Sequence, residues 1–215
     1  MNERRQTPCV CVIDDDAEIR GSIGSLFRSR GFDVALYDTT ASFLAAGVPP
    51  VASCLILDIR LHGESGLDFQ ERMAGDGIGI PVILITGHGD IPMTVRGMRA
   101  GAIDFLPKPF TDDQIFAAVA TAIETDRTRR SDMANEAALR GSFASLTPRE
   151  RETMALVVTG LMNKQIAARM ALSEITVKIH RGNVMRKMAA QSLPDLVRMA
   201  ELLDVRDASV HRYNI

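Results

Sequence analysis

The chain has 215 residues, 46% hydrophobic and 24% charged, with three cysteines and a net charge of −2. That is the composition of a soluble globular protein with one large domain or two ordinary ones. No apolar run approaches the roughly 18 residues of a membrane span, and the first eight residues lack the apolar stretch of a signal peptide, so neither a membrane protein nor an exported one is expected.

The small net charge conceals an asymmetry. Residues 1–125 carry −7, residues 126–142 carry +1 and residues 143–215 carry +4. An acidic first part joined to a basic last part points to two domains with different partners. An excess of four is too small to identify a nucleic-acid binder alone.

The first part alternates strand and helix. A strand over 10–13 ends on Asp14-Asp15, and a helix over 17–30 follows, with Ile19, Ile23, Leu26 and Phe27 at helical spacing and Gly31 at its end. Next come a strand over 32–37, a helix over 40–46 and a strand Cys54-Leu55-Ile56-Leu57 that ends on Asp58. A helix over 67–73 precedes the strand 82–85, which ends on Thr86. The helix 91–100 stops at Gly101, and the last strand, 103–106, leads to Lys108-Pro109. Thr111-Asp112-Asp113-Gln114 has the spacing of a capping box for a helix to about residue 125. Short apolar runs bounded by turn signals read as buried parallel strands. Five strands alternating with five helices predict a doubly wound parallel sheet, an α/β domain over 8–125. Cys9, Cys11 and Cys54 fall inside these strands, as expected of buried, reduced thiols in the cytoplasm.

Residues 126–142 are polar without an apolar stripe and read as a linker, helical in part as an extension of the preceding helix. Beyond them, 143–208 contains only helices. Thr147-Pro148-Arg149-Glu150 is a second capping box with Pro at the first helical position. Its helix reaches 158 and stops at Gly160. Asn163 is placed to cap a helix over 164–170. Ala171-Leu172-Ser173 makes a turn, Ser173 caps a longer basic helix over 174–188, and a last helix spans 195–203. A short helix, a three-residue turn and a longer basic helix form a helix-turn-helix pattern. Ile166, Ala167, Met170, Leu172, Val177, Val184 and Met188 should pack it together. Thr176, Lys178, Ile179, Arg181, Gly182 and Arg186 are left on exposed faces, where the cations can neutralise phosphates and the first turns can reach base edges. A solvated face of a small bundle accounts for the same pattern.

Ligands of an open parallel sheet bind beyond the carboxyl ends of its strands. There Asp14, Asp15, Asp58, Thr86 and Lys108 would meet. Three carboxylates make a negative field that a divalent cation relieves, and Mg²⁺ suits one or two carboxylates plus waters and phosphate oxygens. Asp58 could then attack phosphorus, with Lys108 and Thr86 on the phosphoryl oxygens. Singly, each reads more readily as a solvated loop residue; as a set, at successive strand ends, they do not.

These segments resemble a known family. Val-Ile-Asp-Asp-Asp (12–16), Leu-Ile-Leu-Asp-Ile-Arg-Leu-His-Gly-Glu-Ser-Gly-Leu (55–67), Ile-Thr-Gly-His-Gly-Asp (85–90) and Gly-Ala-Ile-Asp-Phe-Leu-Pro-Lys-Pro-Phe (101–110) resemble the flavodoxin-like receiver domain of response regulators. The resemblance implies Asp58 as phosphoacceptor, and Asp14, Asp15 and Asp58 with the Arg60 carbonyl as Mg²⁺ ligands. It also implies phosphoryl contacts from Thr86 and Lys108, a cis Lys108–Pro109 bond, and Phe105 as the switch aromatic. His62 stands where the family usually has Pro, which implies a more mobile phosphoacceptor loop. His62 and His88 are expected to be solvated or outside the first shell of a ligand.

Leu-Thr-Pro-Arg-Glu-Arg-Glu (146–152), Asn-Lys-Gln-Ile-Ala (163–167) and Thr-Val-Lys-Ile-His-Arg-Gly-Asn-Val-Met-Arg-Lys-Met (176–188) resemble the LuxR/FixJ-type DNA-binding domain. That implies Lys178, Ile179 and Gly182 toward base edges, with Asn163, Lys164, Thr176, His180 and Arg181 near phosphates. Gly182 offers no side chain for base readout and costs about 1 kcal/mol of helix stability. The last helix pairs DNA-binding domains in that family, or it closes the core. Together the resemblances imply a cytoplasmic, dimerising two-component regulator of the FixJ/NarL class. A sensor histidine kinase would phosphorylate it, and its DNA partner would be double-stranded promoter DNA. Two rivals share these features. One is an unphosphorylated dimerisation module that binds DNA. The other is an aspartyl-phosphate phosphatase, which would usually carry a second Asp where this chain has Arg60.

Overall fold

In the computed structural model, which describes residues 7–87 and 90–205, the predicted apolar runs are strands. The chain divides into two compact units, Met1–Ser131 and Asp132–Ile215.

The first unit contains β1 (Cys9–Ile13), α1 (Ala17–Ser29), β2 (Asp33–Tyr37), α2 (Thr40–Ala46), β3 (Ser53–Asp58), a small hairpin of β4 (Arg60–Leu61) and β5 (Glu64–Ser65), α3 (Gly66–Gly75), β6 (Val82–Thr86), α4 (Ile91–Arg99) and β7 (Asp104–Pro107). It also holds the first part of α5 (Asp112–Ala144). The five main strands pair in parallel in the order β2-β1-β3-β6-β7. Because side chains alternate across a strand, β1 feeds two cores. Cys11 and Ile13 join Leu55, Leu57 and Leu84 beneath Phe43 of α2 and Phe69 and Met73 of α3. Val10 and Val12 join Ile56, Ile83 and Ile85 beneath Ile23 and Phe27 of α1 and Ile115, Val119 and Ala122 of α5. Helices on both faces make the fold doubly wound, as predicted. The free cysteines are buried within the strands.

The strand order reverses between β1 and β3, and such a switch point opens a crevice at the carboxyl ends of the two strands. β1 runs into Asp14 there and β3 ends on Asp58. The next turn is tight, because a Cβ on Gly66 would lie 2.2 Å from the Asp58 carbonyl oxygen.

Local signals set the helix ends. Asp16 accepts hydrogen bonds from the Glu18 and Ile19 amides at 2.8 and 3.3 Å, so the third of the consecutive aspartates caps α1. Thr111 and Gln114 bond reciprocally at the start of α5, as the capping-box spacing predicts. Residues 126–142 lie within α5, which runs unbroken to Ala144. Asp126 is buried, and its carboxylate accepts from the Ser53 amide at 2.9 Å, from Arg129 at 2.6 and 3.0 Å and from Arg130 at 2.6 Å. Arg130 also donates to the Pro49 carbonyl at 2.8 Å. The two helical turns beyond Thr125 are thereby fastened to the foot of β3.

The second unit holds the end of α5 with α6 (Pro148–Val157), α7 (Asn163–Met170), α8 (Glu174–Lys187) and α9 (Leu193–Leu202). Met154, Ile166, Val177, Val184, Leu196 and Ala200 are buried in its core, against which Leu139 and Phe143 pack. Thr147 and Glu150 form the predicted capping box of α6. Lys187 donates to Glu150 at 2.6 Å and to the Ser145 carbonyl at 3.2 Å, tying α8 to the start of α6.

Candidate functional site

Asp14, Asp15 and Asp58 each present a carboxylate oxygen within 4.8 Å of the other two. The backbone fixes two of them. Asp14 Oδ1 accepts from the Asp16 amide at 2.9 Å, and Asp58 Oδ1 accepts from the Arg60 amide at 3.3 Å. Arg20 of α1 donates to the Asp14 carbonyl at 2.5 Å and braces the loop from outside. Lys108 crosses the crevice from beyond β7 and places Nζ 2.8 Å from Asp14 Oδ2 and 3.2 Å from Asp58 Oδ2. The cis Lys108–Pro109 bond is present, and the Lys108 amide donates to the Thr86 carbonyl at 2.7 Å. Thr86 is buried at the end of β6, beside β7 in register with Pro107. Phe105, half-buried on β7, packs against the core that contains Leu84.

Burial pushes the Asp58 carboxyl above the usual carboxylate range, and Asp14 adds to this, against the opposing pull of Lys108 and the Arg60 amide. Burial lowers Lys108, but its bonds to Asp14 and Asp58 outweigh that and raise it. One ammonium thus faces three carboxylates. The local charge remains negative, and the donors are hard oxygens, so the set fits a hard divalent cation.

In the second unit α7, the turn at Ala171 (φ 52°) and α8 form the helix-turn-helix. Ser173 caps α8 by accepting from the Thr176 amide at 3.1 Å, as predicted. Asn163 does not cap as predicted. It is the first helical residue of α7, Gln165 returns its side chain to the Met162 amide at 2.8 Å, and the Asn163 oxygen accepts from Arg181 at 3.1 Å. Lys178, Ile179, Gly182 and Arg186 are exposed on α8, as expected, with Ile179 58% exposed. Thr176, His180 and Arg181 are half-buried rather than open. Lys164 is exposed on α7.

Comparison with known proteins agrees with both halves. Residues 10–120 match the family model of the response regulator receiver domain, and residues 144–200 match that of the bacterial regulatory proteins of the luxR family. Nodulation protein W of Bradyrhizobium diazoefficiens is 53% identical over 196 residues, 91% of this chain and 86% of that protein. The transcriptional regulatory protein FixJ of Azorhizobium caulinodans is 43% identical over 201 residues, 93% of this chain and 94% of FixJ. The solved structure of the response regulator StyR, 44% identical, covers 91% of this chain and 98% of its own, with a TM-score of 0.83. The chain is a FixJ-type two-component response regulator.

In this regulator the receiver and the LuxR-type helix-turn-helix are those expected, and the family regulates transcription rather than turning over a substrate. Among the described residues no helix is long and apolar enough to cross a membrane. The regulator brings Asp14, Asp15, Asp58 and Lys108 together. Thr86 ends the neighbouring strand. His88 and residues 206–208 lie outside the described residues. Sequence reasoning did not find two contacts and one exposed apolar side chain. The Asp126 cluster was hidden inside a segment read as polar linker, and its only signal was the spacing of Asp126, Arg129 and Arg130 on one helix face. Ile175, 74% exposed at the start of α8, carried no signal beyond its place in the motif. His62 was expected to be solvated or outside the first shell, in a mobile loop. Its side chain is 92% exposed, as expected, and Nδ1 pairs with Asp15 Oδ2, a partner the sequence did not name.

Proposed function

We propose that Asp58 is the phosphoacceptor of this regulator. The observation that carries the reading is Lys108 Nζ at 2.8 and 3.2 Å from two of three converged carboxylates, brought there from opposite ends of the domain. One Asp58 oxygen attacks the phosphorus of a phosphohistidine on a sensor kinase. The P–N bond breaks and the imidazole leaves with a proton. Lys108 pairs with a phosphoryl oxygen, and the Thr86 hydroxyl donates to another. Asp14, Asp15, Asp58 and the Arg60 carbonyl would hold Mg²⁺, which when bound would offset charge on the transferring group.

Phosphorylation draws Thr86 toward the phosphoryl group and gives Phe105 room to move, remodelling the face of α4, β7 and α5. Receivers then form a homodimer. The receiver spans 8–125 and the DNA-binding domain 143–208; the stretch 126–142 between them is helical, with Asp126 bonded to the foot of β3, and the protein works in the cytoplasm. On promoter DNA, Lys178, Ile179 and Gly182 face base edges. Asn163, Lys164, Thr176, His180 and Arg181 lie near phosphates, where Arg181 and Asn163 act as a bonded pair. The exposed Lys178 and Lys164 support these roles. Acetyl phosphate with Mg²⁺ is expected to add a single phosphoryl group in the intact mass, absent in Asp58→Asn, and to promote dimerisation and promoter band shifts. Modification that survives in Asp58→Asn would refute the assignment. Wild-type dimerisation and promoter binding without modification would favour an unphosphorylated module.

A further inference from the structure

His62 sits at the tip of the β4–β5 hairpin, in which Arg60 pairs with Ser65 and Leu61 with Glu64. The turn is two residues long, and Gly63 adopts φ +92°, a region other residues resist. The base of the hairpin is anchored. Glu64 accepts from Arg72 of α3 at 2.6 Å and from the buried Thr40 of α2. From this fixed base the imidazole Nδ1 reaches Asp15 Oδ2. The strap therefore joins the loop after the phosphoacceptor to the loop after β1.

Asp15 is the member of the acidic set nearest solvent, being half-buried where Asp14 and Asp58 are buried. Facing two like charges, an untethered Asp15 side chain gains by turning outward to water. In the conformation that pairs with His62, Asp15 has a carboxylate oxygen within 4.8 Å of the other two acids. The hydrogen-bonded orientation is thus the convergent one. Partners that hydrogen-bond a ligating carboxylate orient it and tune the metal. A proline at this position supplies no donor.

We propose that His62 is a positioning residue for the divalent-cation site, setting the affinity for the cation through Asp15. This rests on the Mg²⁺ reading above. Nδ1–H donates to Asp15 and fixes its rotamer beside the other two carboxylates. His62 is exposed, so the effect falls below the 10- to 100-fold typical of enclosed partners, at about twofold to tenfold.

Mn²⁺ is the probe, followed by loss of the free-ion EPR signal on titration into the full chain, with Mg²⁺ as competitor. Asn places an N–H close to the Nδ1 position, whereas Leu fills similar space without a donor. His62→Leu is expected to weaken Mn²⁺ binding about twofold to tenfold, and His62→Asn to stay near wild type. Without metal, both variants should melt with the wild type, because the tip is exposed, while the Mg²⁺-induced rise in Tm shrinks only in His62→Leu. Equal or tighter binding by His62→Leu, or a His62→Asn that behaves like it, would overturn the proposal and leave the metal reading intact. A wild-type chain that takes up no Mn²⁺ would overturn both.

Discussion

Replacing Asp58 should stabilise the folded receiver. Asp58 has a carboxylate oxygen within 4.8 Å of both Asp14 and Asp15, a repulsion of about 3.5 kcal/mol with each at an effective dielectric of about 20. Lys108, at 3.2 Å from Asp58, returns about 5 kcal/mol on the same scale. The balance of charges is about 2 kcal/mol against the ionised carboxylate, and burial, the first cause of its raised pKa, adds to this while Lys108 opposes it. A carboxyl that holds its proton more tightly when folded contributes fully below the unfolded value of about 3.9 and loses that contribution as pH rises through the raised folded value. Asp58→Asn removes the charge and keeps an acceptor for the Arg60 amide. In EDTA at neutral pH it should stabilise the receiver by about 1–2 kcal/mol, the open side of the crevice trimming the larger figure. Calorimetry would show this as a rise in the receiver transition of roughly 4 °C per kcal/mol. Mg²⁺ should then reverse the order. At about 100 times its dissociation constant it adds about 2.7 kcal/mol to the wild type, and less to a variant that has lost one of the three carboxylates. If Asp58→Asn melts lower in EDTA, or gains as much from Mg²⁺ as the wild type, the electrostatic account is wrong.

Other substitutions probe the frame around the sites. Asp126→Ala strands two guanidiniums and the Ser53 amide; because both arginines are part-exposed, a loss of about 2–4 kcal/mol in urea denaturation is expected. Burial raises Asp126, but Arg130, Arg129 and the Ser53 amide lower it further. Its stabilisation is therefore present above about pH 3.9 and lost as pH falls through the depressed folded value, so wild type and variant should converge in acid. Gly66→Ala drives a Cβ to 2.2 Å from the Asp58 carbonyl, and must distort the turn after Asp58; acetyl phosphate labelling should fall well below wild type while the second unit melts normally. Gly182→Ala meets nothing within 4 Å and should raise the melting transition of the DNA-binding unit by about 0.8–1 kcal/mol of stability. Lys164→Ala should weaken promoter and non-specific DNA alike, reducing the slope of log K against log salt by about one.

Much of this protein was legible in one dimension. The strands were, because a parallel sheet buries both faces and leaves uninterrupted apolar runs such as Val10–Ile13 and Leu55–Leu57. The acidic pocket was legible because residues at successive strand ends must share one edge, whatever the details of packing. The capping boxes at Thr111 and Thr147 closed as their spacing required, since each needs only its own four residues.

What the tertiary structure alone decided are pairings between segments whose separation carries no periodicity. Asn163 reads locally as a cap, yet Arg181 of the next helix claims its oxygen and Gln165 takes over the amide. Asp126 reads as linker, yet it meets the amide of Ser53 at the foot of a strand seventy-three residues away. His62 reads as a solvated substitute for proline, yet a hairpin anchored through Glu64 carries it to Asp15. In each case the side chain has several partners within chemical reach, and only the packed arrangement of helices and strands determines which lies at bonding distance.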